Sequence, residues 1–544
     1  MKISRKNHEN ACSKIRSMRR GSMLVITITA MFLITTLAVA VLSITTSALY
    51  NNSRQQFRAE ALNIAESGAE VAALWLKDQT ILPSDETVKG PIALNDGTYT
   101  ATITPDEDND SEYLKTFIIT SVGNYHGVSK TVEIVIKQSS FGKFAYFTDS
   151  EVSSVTGGTI WWRTGESVDG PVHSNCTNNS NFSINWTSSA TSPIFKGSVT
   201  SAGSKINYYN NIKPTTEAQF KKIFLNGSKG YTLGVDRIKL PDSSDDQKIA
   251  AWGGETCFPT TDGVYMSGAA DSGIYIEGNA TIVLSLDCSG NQVITVVQTS
   301  SSYSGGKTTT VTKTNIVTQD RSAQTTAMTS TIRTKVTSGY TVISDNTVDG
   351  GSSSMAQLTN GVIYCSGNIT SLSGTVADNL VSDGEIVTRS QLTIATDVNE
   401  GKDITITNNI KYNTKPNKTL ADNAAVNLAA GTLGLVARDI TISSTAPSSL
   451  EIDAVMMAGG ENTSDGSFSV ANYDTKKPTG TLTVLGGIIQ KARGAVGTFN
   501  SSTGTTSTGY AKNYSYDPRL AKQPPPYYPT TGTYDRLSWR VLPD

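Results

Sequence analysis

The pattern of apolar and polar positions first shows a long uncharged run near the start of the 544-residue chain. No charged side chain occurs from Ser22 to Ser53, and most of these residues are apolar. About 20 apolar helical residues span a bilayer core, so this run is long enough to cross a membrane. A cleaved signal peptide has an apolar region of only about 7–15 residues, and the length disfavours that alternative. The run therefore predicts one membrane-spanning helix.

Residues 1–21 form a basic segment before this helix. Its positive side chains are Lys2, Arg5, Lys6, Lys14, Arg16, Arg19 and Arg20. Basic flanks stay on the cytoplasmic side of a membrane. We therefore expect a cytoplasmic leader, a single pass through a membrane, and a body on the far, extracytoplasmic side.

The helical pattern continues beyond the uncharged run as an amphipathic stripe. Its members, three or four residues apart, are Phe57, Ala61, Ile64, Ala65, Gly68, Val71, Ala72, Trp75 and Leu76. Pro83 ends the pattern. We expect one helix across residues 22–80. The stripe predicts that Phe57, Ile64, Val71 and Trp75 pack on the following domain, with Trp75 as the largest anchor.

Residues 81–138 predict a small antiparallel β region. Apolar and β-branched runs lie at Tyr99–Thr104, Leu114–Val122 and Val128–Ile136, separated by turn residues. Three strands packed on the helix would cover the stripe.

An acidic segment between two of these runs is a candidate calcium site. It carries Asp106, Asp108, Asp110 and Glu112. Alternating carboxylates suit Ca²⁺, but Ser111 replaces the central Gly and Phe117 the final Glu of a calcium loop. The alternative is a solvated hairpin tip. Calcium is the only cofactor that the sequence suggests.

Residues 139–544 consist of short apolar runs separated by Gly, Asn and Ser, which predicts a mainly-β body. The pattern Ile-Tyr-x-x-Gly-Asn occurs at Ile274–Asn279 and again at Ile363–Asn368. Strands spaced about 20–45 residues apart are typical of stacked repeats. We therefore expect a parallel β-helix-like stack, with a β-sandwich as the alternative. The Ser/Thr-rich stretch Thr299–Lys313 predicts a protruding hairpin.

Charge and motif searches favour a non-enzymatic protein without a nucleic-acid partner. The formal net charge is −2, whereas nucleic-acid binding requires a basic face. His8, His126 and His173 show no metal-ligand spacing, and we interpret His173 as a turn or packing residue. If the body cleaved glycans, Asp169 or Asp453 could belong to a carboxylate pair about 5–10 Å apart.

The cysteines leave the disulfide state open. Cys12 lies in the leader, whereas Cys176, Cys257, Cys288 and Cys365 lie in the expected extracytoplasmic body. Four cysteines allow three complete pairings, and unpaired thiols are an equal alternative.

The N-terminal residues resemble those of PilX-type minor pilins. The similarity rests on the basic leader, Gly21, Leu24-Val25 and Ala65-Glu66-Ser67-Gly68. These type IV pilus assembly proteins are related to minor pseudopilins of type II secretion. The resemblance implies a pilin-like helix and sheet, other pilins or pseudopilins as partners, and cleavage by a prepilin peptidase between Gly21 and Ser22. It also implies that the membrane is a bacterial inner membrane and that the body could reach the cell surface or a filament after assembly. Ser22 stands where Phe or Met is usual, and Ile26 replaces the Glu of most pilins, which implies a minor subunit.

The body resembles an extracytoplasmic domain that often follows such N-termini. The similar segments are Gly170–Asn175, Phe195–Val199, Ile238–Pro241, Arg493–Gly497, Tyr516–Arg519 and Pro524–Pro526. This resemblance implies architecture rather than chemistry. The function hypothesis is therefore a structural minor pilin-like or pseudopilin-like component of a type IV pilus or type II secretion filament. The alternative is a membrane-anchored β-helical surface protein that binds or cleaves glycans.

Overall fold

A computed structural model describes residues 6–79, 82–106, 113–163, 165–176, 182–186, 193–477, 479–500 and 506–543, with backbone alone at 6–22 and 499. Contacts divide the chain into two units. The anchor unit comprises Met1–Asp106, Phe117–Ile136 and Arg536–Asp544. The body comprises Glu107–Thr116 and Lys137–Asp535.

The described residues contain one long helix and several short ones. The α-helices are α1 Lys6–Lys77, α2 Glu217–Phe220, α3 Asp245–Ala251, α4 Ala425–Ala429 and α5 Arg519–Lys522, and short 3₁₀ turns occupy Phe141–Lys143, Tyr209–Asn211 and Gly227–Lys229.

Strands make up most of the remaining regular structure. They are β1 Thr87–Leu94, β2 Gly97–Pro105, β3 Thr116–Tyr125, β4 Val128–Ser140, β5 Tyr146–Ser153, β6 Ser167–Asp169, β7 Val172–Ser174, β8 Ser183–Ile184, β9 Ile194–Phe195, β10 Val199–Ser201, β11 Asn207–Tyr208, β12 Tyr231–Leu233, β13 Gly263–Tyr265, β14 Ile274–Glu277, β15 Ala280–Leu286, β16 Gln292–Ser304, β17 Lys307–Asp320, β18 Thr325–Ser338, β19 Thr341–Met355, β20 Val362–Cys365, β21 Ile369–Val376, β22 Leu380–Ser382, β23 Glu385–Thr388, β24 Gln391–Thr396, β25 Ile404–Tyr412, β26 Thr432–Ala437, β27 Ile440–Ile442, β28 Leu450–Ala458, β29 Phe468–Val470, β30 Gly480–Arg493, β31 Gly497–Phe499, β32 Thr506–Ser515 and β33 Thr530–Leu542.

Helix α1 confirms the predicted long N-terminal helix. Its apolar segment from Met23 onward is exposed and is long and apolar enough to cross a membrane. Threonine hydroxyls in this segment donate to the preceding turn, as from Thr27 to the carbonyl of Met23 (3.0 Å) and from Thr35 to that of Met31 (2.9 Å). These bonds satisfy the hydroxyl groups within the helix, so threonine is tolerated in an apolar setting.

The anchor unit contains a five-stranded sheet in the order β1-β2-β3-β4-β33. The three predicted strands correspond to β2, β3 and β4. Strand β1 was not predicted. Residues Arg536–Asp544, which the sequence analysis assigned to the body, group with the anchor unit through β33.

The body is a parallel β-helix-like stack, as expected, rather than the antiparallel sandwich considered as the alternative. Its first sheet pairs ten strands in parallel, in the order β14, β20, β24, β26, β28, β30, β5, β7, β10 and β12. A second sheet stacks β15, β21, β25, β27 and β29. A third includes β28, β30, β32, β6 and β9.

The two Ile-Tyr-x-x-Gly-Asn segments form adjacent layers of the stack. Tyr275 pairs with Tyr364, and their rings stack with centroids 5.7 Å apart. The amide oxygen of Asn279 accepts a bond from the backbone N–H of Asn368 (2.7 Å), and that of Asn368 accepts one from Asp403 (2.9 Å). The sequence repeat therefore places an asparagine at the same turn of two successive layers. The amide oxygen of each asparagine accepts a hydrogen bond from the backbone of the next layer.

The first layer of the body in sequence lies in the middle of the stack. Strand β5 pairs with β7, which follows it closely, and with β30, which lies near the end of the chain. The N-terminal layers therefore continue the stack from the point where the C-terminal layers end. We call this junction between β5 and β30 the seam.

The first sheet is buried on both faces. Along β28, Ala454, Met456 and Ala458 face the interior core, whereas Val455 and Met457 join a second apolar cluster. That cluster also contains Leu240, Ala250, Leu520 and Tyr528 from segments that cross the sheet. Burial on both faces explains the nearly continuous apolar sequence of these strands.

Strands β16 to β19 form an antiparallel sheet that extends from the stack. The expected hairpin around Thr299–Lys313 is present as β16 and β17, joined at Gly305-Gly306. Two further long strands, β18 and β19, continue the same sheet. We call these four strands the lateral sheet.

Candidate functional sites

Small side chains form the contact between α1 and the anchor sheet. The fully buried apolar residues of the helix are Ala61, Ile64, Ala65, Ala69, Ala72 and Leu76. A Cβ on Gly68 would lie 2.5 Å from Cδ2 of Tyr99 and closer still to the hydroxyl of Ser121. A Cβ on Gly123 of β3 would lie 2.5 Å from the backbone nitrogen of Ala65. The helix and sheet backbones therefore approach too closely for larger residues.

The buried stripe differs from the predicted one in three residues, of which Phe57 is only partly buried. Val71 is 47% exposed, so its predicted burial is wrong. Successive helical residues point about 100° apart around the helix axis. Because Ala72 is buried against the sheet, Val71 points away from that contact. Trp75 is only partly buried, with the Lys89 ammonium 3.7 Å above its ring. Leu76, rather than Trp75, is therefore the fully buried anchor.

The predicted processing and calcium residues receive little structural description. Gly21 and Ser22 lie within α1, where the backbone alone is described. Asp106 follows β2, whereas Asp108, Asp110 and Glu112 lie outside the described residues. The calcium hypothesis stays a prediction. Among the described residues, no group of three or more His, Cys, Asp or Glu side chains could hold a metal ion.

The two candidate carboxylates of the body occupy the same column of the third sheet. Asp453 pairs with Leu485, Leu485 with Ser515, and Ser515 with Asp169. Three spacings of about 4.8 Å place the two backbones roughly 14 Å apart. Burial raises the pKa of Asp453, whose carboxylate accepts a bond from Tyr412 N (3.0 Å), while Asp169 pairs with Lys418. This geometry does not match a glycosidase pair.

A buried charge cluster lies at the seam. The guanidinium of Arg493 on β30 donates to the carboxylate of Glu151 on β5 (2.9 Å), and both side chains are at most 1% exposed. The guanidinium also lies over the Trp162 ring, 4.1 Å from its centroid, and donates to the carbonyl of Ile160 (3.0 Å). The residues are 342 positions apart in the chain, so sequence spacing did not indicate the pair.

A second ion pair completes this cluster. Lys512 donates to Glu166 (2.5 Å). Burial opposes the charged carboxylate of Glu166, but Lys512 and Arg493 outweigh this effect and lower its pKa. The groups neutralise one another inside the fold, so removal of one partner leaves an uncompensated buried charge at the seam.

His173 is a buried packing residue, in agreement with its interpretation from the sequence. Its ring stacks on Phe147, with centroids 5.2 Å apart, and its nitrogens contact Thr200 Oγ1 (2.9 Å) and Asn175 Oδ1 (3.0 Å). Asn175 Oδ1 also accepts a bond from Ile238 N (2.9 Å). Burial lowers the pKa of His173, so the neutral ring is favoured.

A groove of about 800 Å³ in the body is lined by Lys239, Asp246, Asp271 and Tyr527, among others. The Tyr527 hydroxyl donates to Asp271 (3.0 Å).

None of Cys176, Cys257, Cys288 and Cys365 forms a disulfide with another described cysteine. The Cys365 thiol donates to the carbonyl of Gly278 (3.2 Å), and burial raises its pKa to about 12.

Comparisons with known proteins give limited information. Residues 118–204 match a family described as a domain of unknown function (DUF4900). No curated protein matches the chain. The crystal structure of the competence-associated pilin ComZ from Thermus thermophilus is similar at 14% identity, covering 89% of this chain and 98% of that one, with a TM-score of 0.25. That score is too low to establish a shared fold. The described structure itself defines a mainly-β protein with one N-terminal helix able to cross a membrane.

Proposed function

We propose that the protein is a minor pilin-like or pseudopilin-like component of a type IV pilus or type II secretion filament. The observation that carries this proposal is helix α1, which has an exposed apolar half followed by a half packed on a small sheet. The apolar half suits the membrane, and the packed half fixes the helix to the five-stranded sheet of the anchor unit. The large β-rich body is then displayed on the extracytoplasmic side.

The exposed half of α1 requires an apolar environment. Leu33 is 70% exposed and Leu37 67% exposed, and many neighbouring apolar side chains are similar. Burying each such side chain contributes roughly 1.5–3 kcal/mol. A bilayer supplies this burial before assembly. After extraction, only the apolar helices of neighbouring pilins could replace it, so the helix is the expected partner surface.

The position of Ile26 supports a minor role. Most pilins carry Glu at the corresponding position, and the resemblance implies that this Glu pairs with a neighbour's N-terminal amine. Ile26 cannot form this pair, so we expect the protein to be scarce in filaments. Quantitative proteomics of sheared filaments should find it far below the major subunit, and a dominant amount would contradict the minor role.

Cleavage by a prepilin peptidase provides the direct test. Mass spectrometry of protein from cells with an active peptidase should find Ser22 at the N-terminus, and cells without the peptidase should retain the leader. A Gly21→Glu variant is the matched control within the chain and should stay uncleaved in both strains. Retention of residues 1–21 by the unsubstituted protein in peptidase-positive cells would refute processing.

Glycan cleavage, part of the alternative hypothesis, gains no support from its two candidate carboxylates. Asp169 and Asp453 are too far apart to form a carboxylate pair with each other, and Asp453 is fully buried. We therefore do not propose an enzymatic role for the body.

A further inference from the structure

The lateral sheet presents one solvent-facing surface with a regular arrangement of hydroxyl groups. Alternate residues of β16, β17, β18 and β19 align in six rows of four. One central row contains Thr299, Thr312, Arg333 and Thr347. The Ser and Thr residues of this surface, fourteen of its twenty-four positions, are Thr295, Thr299, Ser301, Thr308, Thr310, Thr312, Thr314, Thr318, Thr329, Thr331, Thr337, Thr347, Ser352 and Ser354. We call this surface the hydroxyl face.

The opposite side of the same sheet is buried only near the stack, and Ser300 and Ser302 on that side are exposed. Near the stack, Ile294, Val296 and Val317 point into the interior core. Their neighbours on the hydroxyl face point outward, as shown by Ile316, which is 39% exposed. The hydroxyl face is therefore the outer surface of the sheet, and its threonines do not contribute to the core.

The spacing of the hydroxyl groups is periodic in two directions. Neighbouring strands are about 4.8 Å apart, and alternate residues along a strand are roughly 6.8 Å apart. Adjacent hydroxyls lie within contact, at 3.4 Å between Thr299 and Thr312 and 3.1 Å between Ser301 and Thr310. The twenty-four positions cover on the order of 800 Å², the share that one partner contributes to a standard interface.

The charge on this face is balanced. Arg333 and Lys335 are offset by Asp345 and Asp349, and Arg333 forms a two-bond ion pair with Asp345 (2.7 and 2.5 Å). Nucleic acids and other polyanions bind through an excess of positive charge, which this face lacks. Ser and Thr are also under-represented among the residues that dominate protein–protein binding energy. The face therefore suits an uncharged, hydroxyl-rich partner.

We propose that the hydroxyl face binds the surface of an uncharged polysaccharide. Threonine presents a methyl group and a hydroxyl group side by side, which complements the C–H and O–H groups of sugar rings. Tyr303, 76% exposed in the last row, adds one aromatic surface for a sugar ring. Each contact is weak, so binding should depend on many simultaneous contacts and increase with polymer length.

The test uses the full chain in a polyoxyethylene detergent, because a sugar-based detergent would compete. Co-sedimentation with insoluble cellulose, chitin and cross-linked dextran should show binding to at least one of these polymers. Soluble oligosaccharides of that polymer with six units should bind at least tenfold more tightly than those with three. Dextran sulfate serves as the charged comparison.

Variants on the two faces identify the surface responsible. Thr312→Glu with Thr331→Glu places charge on the hydroxyl face and should reduce binding at least tenfold. Thr309→Glu with Thr334→Glu makes the same change on the opposite face of β17 and β18 and should leave binding unchanged. Absence of binding to all three polymers, binding to dextran sulfate alone, or equal loss in both variants would overturn the proposal. Self-association that is lost only in the hydroxyl-face variant would instead identify a second copy as the partner.

Discussion

Two leucines near the end of α1 provide a direct test of how the helix is fixed to the anchor sheet. Leu76 is completely buried, whereas Leu74, two positions earlier, is 60% exposed. Leu76→Ala should reduce the free energy of unfolding of the anchor unit by about 2–5 kcal/mol, because it leaves a cavity in a packed interface. Leu74→Ala should change it by no more than about 0.5 kcal/mol.

Hydrogen-exchange mass spectrometry of the full chain in micelles can measure this difference locally. Each 1.4 kcal/mol corresponds to about tenfold in an equilibrium constant, so the slowest amides of β2 and β3 should exchange at least roughly thirtyfold faster in Leu76→Ala. Trp75→Ala should have an intermediate effect, since Trp75 is only partly buried under Lys89. Equal protection in the Leu76 and Leu74 variants would refute the proposed packing.

Three further predictions address other contacts. Arg493→Met should destabilise the body by about 3–5 kcal/mol in urea unfolding, because it leaves Glu151 buried without its ion-pair partner. The double variant Arg493→Met with Glu151→Met should recover most of this loss of stability. Equal losses in the single and double variants would contradict this explanation. Gly68→Val should lower the free energy of unfolding of the anchor unit by about 1–3 kcal/mol through overlap with Tyr99, whereas Ser67→Val should not produce this overlap. Faster hydrogen exchange in β3 for the Gly68 variant alone would distinguish the two. Burial lowers the pKa of His173, so the unfolded chain binds this proton at a higher pH and stability falls as the pH drops below about 6.5. His173→Gln should therefore show a smaller decrease in Tm between pH 7.5 and pH 5.5, and an unchanged decrease would count against this role.

Features encoded by local sequence patterns were predicted well. The uncharged run after Ser22 indicated the apolar part of α1, and the Gly305-Gly306 region indicated the β16–β17 hairpin. The Ile-Tyr-x-x-Gly-Asn repeat identified two layers that are in fact neighbours, with Tyr275 paired to Tyr364. In each case, the residues that determine the structure are close in sequence or recur as a motif.

Features that depend on distant pairing were not predicted. The position of β33 in the anchor sheet and the pairing of β5 with β30 join parts of the chain that share no local pattern. Val71 illustrates a finer limit. Helical periodicity indicated a broad apolar stripe, but the positions of the small residues at Gly68 and Gly123 determine which part of it contacts the sheet.

The candidate sites show the same contrast between local sequence patterns and contacts across distant parts of the chain. The sequence indicated that His173 is a turn or packing residue, but it offered Asp169 and Asp453 as candidate carboxylates without the distance between them. The Glu151–Arg493 pair was missed because its members are 342 positions apart. The rows of the hydroxyl face also required the strand registers, since composition alone shows only that the region is rich in Ser and Thr.

The seam also determines when the body can be completed during synthesis. The chain emerges N-terminus first, so β5 appears while its partner β30 has not yet been made. At about 5–20 residues per second, the 342 positions between Glu151 and Arg493 correspond to a delay on the order of 20 to 70 s. Throughout this interval one edge of β5 has unpaired backbone groups that can pair with another chain. A nascent body therefore needs protection from aggregation until almost its entire sequence has been synthesised.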